Sequence, residues 1–594
     1  MRSTRSLAFR ILEAHVQLLR WFCAYRVEYR EVNAGLSIGT DTASSTSRRC
    51  DQSTIVVALA ERPLLERSFM LNTTRRQALK LLSGAGVALA TKNMFSQTVT
   101  SGRFKASLDS LKAWTIPDWF ADAKFGIWAH WGPQSSVGDG DWYARNMYVE
   151  GTPQYEYHLQ RFGPQSKVGY KDLIHLFTAS KWDPEHLMDL YAKAGAKYFF
   201  SMGVHHDGYD LWNSKYQPRW NSVASGPKRD VVGEWGAAAR KRGLRFGVSE
   251  HLSNSFEWLA PSHLADTKGP FAGVPYDGQD PAFADLYHDY SKEPKGFAQS
   301  IANDAMGRDQ APEWWKQQYF NRVKDLLDQH QPDLLYTDGG IVLGAYGAGT
   351  VAELYNVGPT TYDGKPATVY FSKTTTDCVD GHTCVVDHER NVIGEIDPVP
   401  WQTDTCIGEW HYKVGVHYKP AKKVIDMLVD IVSKNGNLLL NFPLPASGEL
   451  DPEELKVLEG ITAWIAVNGE AIYATRPWKI YGEGPSTKVV IKASGKEFDP
   501  NEGKKPDLGA TDMRFTSKGN TLYAFAMGWP QGDLHIASLA LGGAQQPSKA
   551  IDVRLLGQEQ PLQFTHDERG LRVTMPSQPS ATAAIGVALR IRFV

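Results

Sequence analysis

A chain of 594 residues is too long for one ordinary domain, so two or three folded units are expected. Its 64 basic and 66 acidic residues leave a net charge of −2, which gives no electrostatic reason to bind nucleic acid or an anionic membrane surface. With 42% hydrophobic residues the chain can bury a large core, and five cysteines without CxxC spacing exclude a disulfide scaffold or a zinc-finger-like site.

Residues 1–69 have no sustained periodicity and are expected to be an over-called N-terminus without a fold of their own. At Met70 the text changes. Thr74-Arg75-Arg76-Gln77-Ala78-Leu79-Lys80 fits a twin-arginine export pattern, with Ala78 where a bulky apolar residue is usual, and a Gly/Ala-rich stretch follows. Residues 70–97 are therefore expected to be a signal peptide, with translation starting at Met70. A small basic amphipathic helix is the alternative. No other segment approaches the ~20 continuous apolar residues that span a bilayer.

From 98 to 475, short apolar strands alternate with amphipathic helices. Strand-like segments are KFGIWAHWG (124–132), AKYFFSMGVHHDG (196–208), LRFGVSEH (244–251), PDLLYTD (332–338), ATVYFSK (367–373), TCVVDHER (383–390) and NGNLLLNFPL (435–444). Helices are expected over 184–196, capped by Asp183 with Pro184 at the first position, over 229–243, 312–330 and 420–434, and over 452–473. Strands separated by helices imply βαβ units and a parallel sheet, and a count near eight favours a (β/α)8 TIM-like barrel. No GxGxxG or GxxxxGK[ST] follows a strand and no HExxH occurs, so neither a nucleotide cofactor nor a metal is expected. Residues 476–594 carry β-rich runs (TKVVIKA, TLYAFAMGW, LRVTM, ALRIRFV) split by Gly, Pro, Asp and Ser, the pattern of a C-terminal antiparallel β-sandwich. Cys378 and Cys384 are close enough to pair, leaving Cys406 over.

In a parallel barrel the active site forms at the carboxyl ends of the strands. Polar residues gather at those ends: His130-Trp131, His205-His206-Asp207, Glu250-His251, Asp338 and Asp387-His388-Glu389-Arg390. Any one has a plain structural explanation; Asp338-Gly339, for instance, could simply be a turn. Five together at one rim point to a site.

The stretches WFADAKFGIWAHWG (119–132), DWYARNMY (141–148), GVHHDGYDLWNSKYQPRWNSVASGPKRDVVGE (203–234), PDLLYTDGG (332–340), PWQTDTCIGEWHY (400–412) and KNGNLLLNFPL (434–444) resemble, in order, the α-L-fucosidases of glycoside hydrolase family 29. The resemblance implies a barrel with a C-terminal β-sandwich, a fucosylated oligosaccharide or glycoconjugate as substrate, and retaining hydrolysis by two carboxyl groups ~5–5.5 Å apart. It places the nucleophile at Asp338, with Gly339-Gly340 leaving room for the sugar. It also places sugar-binding positions at His130, Asp141, Trp142, His205 and His206, with Trp131 and Tyr336 available to cover the apolar face and Arg390 near the sugar. Gln402 stands where some members carry Glu, so the acid/base is assigned to Glu389, with Glu395 as alternative. Two other readings stay open: a related exo-glycosidase such as a β-D-galactosidase, and a carbohydrate-binding protein on an inactive barrel.

Overall fold

The structure is a computed structural model and describes residues 102–302, 311–361, 363–489, 500–504, 506–579 and 582–594. The expected over-called N-terminus and signal peptide lie outside the described residues. Eight strands form one parallel sheet: β1 (Phe125–Ala129), β2 (Tyr198–Val204), β3 (Arg245–Glu250), β4 (Leu334–Tyr336), β5 (Val369–Ser372), β6 (Val385–Val386), β7 (Trp401–Cys406) and β8 (Gly436–Asn441). Their order is β6-β5-β4-β3-β2-β1-β8-β7, and every ladder is parallel. The ring closes between β6 and β7 through the bridge from Asp387 to Gln402 and two backbone bonds, His388 N–H to the Gln402 carbonyl (2.8 Å) and Arg390 N–H to the Asp404 carbonyl (2.9 Å). This is a near-closed (β/α)8 barrel with one weak seam.

Both faces of the strands are covered, which is why β1, β2 and β4 read as unbroken apolar runs rather than alternations. The helices start where their caps dictate. Asp183 accepts from His186 N–H at 3.0 Å and Pro184 occupies the first position of the helix Pro184–Lys193. Asp230 does the same for Val231–Lys241, which stops at Gly243 in the left-handed region.

The sheet differs from the sequence reading at two strands, one expected and one not. The TCVVDHER segment supplies only two strand residues, Val385–Val386. Conversely β7 has no apolar signature, because Gln402, Thr403, Asp404 and Thr405 are polar, yet all six of its residues are buried. Gln402 is satisfied internally: Tyr198 Oη donates to Gln402 Oε1 (2.9 Å), and Gln402 Nε2 donates to Asp387 Oδ2 (2.8 Å).

The C-terminal part holds a five-stranded antiparallel sheet of β9 (Arg476–Glu483), β10 (Met513–Lys518), β11 (Thr521–Ala526), β13 (Ala550–Leu555) and β16 (Val587–Phe593). A second antiparallel sheet contains β12 (Leu534–Ile536), β14 (Phe564–Asp567) and β15 (Gly570–Val573). Phe515, Leu522, Val553 and Ile591 of the first sheet share one core with Leu534, Ile536, Leu571 and Val573 of the second, as in a sandwich. TKVVIKA is no strand at its start: Pro485–Lys488 is a 3-10 turn, and residues 490–499 lie outside the described residues. Among the described residues no helix is long and apolar enough to cross a membrane.

Candidate active site

A cavity of about 730 Å³ opens at the carboxyl ends of the barrel strands. His130, Asp141, Trp142, His205, His206, Tyr336, Asp338, Glu389 and Arg390 line it, together with His251, Lys373, Asp387, Asp404 and Trp410. Asp338 stands two residues past β4. Its φ of +25° is strained for a side-chain-bearing residue, a cost of roughly 1–3 kcal/mol that persists only when neighbours impose it. They do: Lys373 N–H donates to the Gly339 carbonyl (2.7 Å), Tyr370 Oη to the Gly340 carbonyl (3.1 Å), and Ile341 N–H to Asp377 Oδ2 (2.7 Å).

Lys373 joins the two sides of the cavity. Its ammonium donates both to Asp338 Oδ1 and to Glu389 Oε2. Two hydrogen bonds sharing one nitrogen keep the two bonded oxygens within about 6 Å of one another, which is compatible with the ~5–5.5 Å of a retaining carboxyl pair. Burial by itself would raise the Asp338 carboxyl, but the Lys373 ammonium and the His251 and His206 rings outweigh it and hold the group well below the usual carboxylate range. His206 Nε2 lies 3.2 Å from Asp338 Oδ2. Burial also opposes the charge on Lys373, yet Asp338 and Glu389 push it well above its ordinary value. The result is an ionised carboxylate fixed beside a permanent cation.

Behind Glu389 sit two further acids. Burial pushes the Asp387 carboxyl up to about 6 despite the Gln402 amide, and burial with the Asp387 and Glu389 charges pushes Asp404 well above the usual carboxylate range.

The opposite wall is a cluster of imidazoles. Burial is the main cause that holds His130, His205 and His251 well below the ordinary histidine value, so they are neutral rings. A neutral imidazole offers one donor and one acceptor, which matches a sugar hydroxyl. Two groups among the described residues, His130, Asp141, His205 and His411, and His205, His206 and His251, bring ligand atoms within 4.8 Å of one another and could hold a metal. The local hydrogen bonds favour hydroxyl recognition instead. Ala144 N–H donates to Gln134 Oε1 (3.3 Å), so Gln134 Nε2 donates to His205 Nδ1 (2.8 Å) and the ring proton is left on Nε2, facing Asp141. A metal ligand would need a lone pair there. His411 Nδ1, in turn, lies 2.6 Å from Asp141 Oδ1.

Comparison with known proteins fits this geometry. Residues 92–470 match the family model described as alpha-L-fucosidase, and residues 506–592 match that of the alpha-L-fucosidase C-terminal domain. The chain belongs to the α-L-fucosidase family. As a member it is a glycoside hydrolase. It is 30% identical to the human plasma alpha-L-fucosidase over 488 residues, covering 80% of this chain and 89% of that one. It is 28% identical to the human tissue alpha-L-fucosidase over 508 residues, covering 82% and 91%. Among solved structures, an alpha-fucosidase of Thermotoga maritima in complex with a mechanism-based inhibitor superposes with a TM-score of 0.62 at 26% identity, covering 82% of this chain and all of that one.

Within this fucosidase-family site three expectations need correction. Trp131 does not reach the cavity; its ring packs against Phe177 and Trp182 in the core, and its Nε1–H donates to the Pro445 carbonyl at 2.8 Å. Glu395 is exposed and lines a different cavity of about 340 Å³, with Tyr481 and Arg514, rather than the one holding Asp338. Gly340 makes room for protein rather than sugar: a Cβ there would meet Thr374 Oγ1 at 2.6 Å and Asp377 Oδ2 at 2.7 Å. Arg390 lines the cavity, but its ion pair is with Glu502 (Nε to Oε1, 2.7 Å), a residue distant in sequence. Sequence reasoning missed Lys373, Asp404, Trp410 and His411. Lys373 had a signal, since it ends the strand-like run ATVYFSK in the same place that Asp338 ends its own.

Proposed function

We propose that the protein is an exported exo-glycosidase that removes terminal α-L-fucosyl groups from glycans with retention, by double displacement. The observation that carries this reading is the Lys373 ammonium shared by Asp338 and Glu389. In the first step an Asp338 carboxylate oxygen attacks the anomeric carbon while Glu389 gives its proton to the glycosidic oxygen, and the bond to the leaving alcohol breaks. In the second step Glu389 takes a proton from water, the water oxygen attacks the same carbon, and Asp338 leaves as carboxylate. Lys373 and His206 keep Asp338 ionised. His130, Asp141, His205 and His251 bind the hydroxyls, and Tyr336 and Trp142 flank the ring. The names of the relatives as alpha-L-fucosidases support the choice of sugar.

The test is to follow hydrolysis of p-nitrophenyl α-L-fucoside by proton NMR. The α-anomer of L-fucose should appear first and then mutarotate. The β-anomer first would overturn retention. Turnover of a β-D-galactoside without turnover of the fucoside would overturn the sugar, and binding without turnover of either would leave only a carbohydrate-binding barrel.

Export by the twin-arginine route is supported by Thr74–Lys80 and by the Cys378–Cys384 disulfide, a bond that suits an oxidising compartment. Replacing both Arg75 and Arg76 with Lys should retain active protein in the cytoplasm; unchanged export would exclude the route.

A further inference from the structure

The segment that carries Glu389 has the weakest hold on the barrel. β6 is two residues long, and the stretch after it meets β7 through the Asp387–Gln402 bridge, the His388 amide on the Gln402 carbonyl (2.8 Å) and the Arg390 amide on the Asp404 carbonyl (2.9 Å). Arg390, next to Glu389, has φ +53°, a conformation that a side-chain-bearing residue keeps only when its surroundings impose it.

Those surroundings come from the connection between β9 and β10, in the C-terminal half of the chain. The amides of Asn501 and Glu502 both donate to the Arg390 carbonyl (3.1 and 3.2 Å). The Asn501 side chain closes on Val392 from both directions, accepting from its N–H (2.9 Å) and donating to its carbonyl (3.1 Å). The Glu502 carboxylate is buried, where a charge is tolerated only with partners, and its partners belong to the same seam. It accepts from Arg390 Nε (2.7 Å) and Thr405 Oγ1 (2.5 Å) and lies 3.4 Å from Lys419 Nζ.

We propose that Asn501 and Glu502 form a positioning clamp through which the C-terminal half of the chain sets the reach of Glu389 toward the glycosidic oxygen. The proposal rests on Glu389 being the acid/base. A general acid works only within hydrogen-bond distance of the oxygen it protonates, and a misplacement of about 1 Å can cost roughly 10²-fold in rate. Glu502 and Asn501 touch no substrate; they act by fixing the backbone on either side of Arg390, and with it the base of the Glu389 side chain.

The experiment compares kcat/KM on two substrates in the full-length protein. α-L-fucosyl fluoride releases an ion that needs no proton, whereas an unactivated α-L-fucosyl disaccharide releases an alkoxide that does. In Glu502→Gln, kcat/KM for the disaccharide should fall about 10- to 100-fold while that for the fluoride stays within about twofold. Asn501→Ala, which leaves the ion pair intact, should give a smaller loss with the same selectivity, and it serves if Glu502→Gln does not fold. Equal losses on both substrates would mean a merely structural role and overturn the clamp, as would no loss on either. Glu389→Gln is the control. It should show the same selectivity more strongly; if it loses both substrates equally, the acid/base reading has failed by itself and the clamp falls with it.

Discussion

The two sides of the cavity are built in opposite ways. On the nucleophile side, β4 is paired in register with both β3 and β5, and the loop that follows is locked by backbone bonds to Gly339 and Gly340 and by the tight fit of Gly340 against Thr374 and Asp377. On the acid side, the barrel has no ladder, only a bridge, and Glu389 is held by polar side chains and by a segment distant in sequence. A nucleophile needs one position, fixed before substrate arrives, and the sheet supplies it. An acid/base must serve two oxygens in turn, the leaving one and that of water, and a seam braced from outside can be set by a few contacts. Lys373 is the link between these two constructions.

Breaking the rigid side should have the largest effect. Asp338→Gly should lower kcat on p-nitrophenyl α-L-fucoside by roughly 10⁴-fold or more, because it removes the carboxylate proposed to attack the anomeric carbon. Azide should restore turnover and yield the fucosyl azide of opposite anomeric configuration; rescue without that product would place the nucleophile elsewhere. Cutting the link comes next. Lys373→Met removes the cation that, against burial, holds Asp338 well below its usual range. Its loss raises the Asp338 carboxyl, so the acidic limb of the kcat/KM profile should move to higher pH. The maximum should fall by about 10²-fold. A limb that stays in place would show that Lys373 does not set the charge of Asp338.

Why the rigid side was legible in sequence and the seam was not follows from the same contrast. Apolar runs such as FGIWA and YFFSMGV announce strands because both their faces are buried, and the residue after each run is placed at the rim by strand geometry alone. That is enough to find His130, His205, His206 and Asp338. β7 reads WQTDTC, and nothing in its polarity says strand, because its buried polar groups are paired with residues far away in sequence, Tyr198 and Asp387 among them. The Glu502 partner of Arg390 and the His411 partner of Asp141 lie 112 and 270 positions away, beyond any local pattern. Trp131 erred the other way: a flat aromatic beside a site histidine suits a sugar equally well on paper, and only the direction of its side chain separates core from cavity.

The seam should also show itself in the response to pH. Asp387 is raised to about 6 and Asp404 well above the usual carboxylate range, mainly by burial. A raised folded-state value for an acid means that its contribution to stability is complete below the unfolded value and is lost as pH rises through the folded one. Urea unfolding midpoints should therefore decline as the pH passes through about 6. Asp404→Asn removes one of the two raised buried carboxyls and so should flatten this decline. Parallel declines in the variant and the parent would separate the acid pair from the stability of the seam.

The smallest catalytic effect is expected where the sequence reading and the structure part company. Trp131 fills the space between Phe177 and Trp182 and donates to the Pro445 carbonyl, so Trp131→Phe leaves a small void and takes away one of the two donors to that carbonyl, which keeps the Gly448 N–H at 2.9 Å. Together these should cost roughly 1–3 kcal/mol of stability, read as a lower Tm. The cavity wall at His130 is held separately, through its backbone N–H on Asn441 Oδ1 at 2.8 Å, so kcat/KM for the fucoside at a temperature where the variant is folded should stay within about twofold. A rise in KM with an unchanged Tm would reverse the assignment and return Trp131 to the sugar, because a ring buried away from the cavity has no route to the substrate except through the fold.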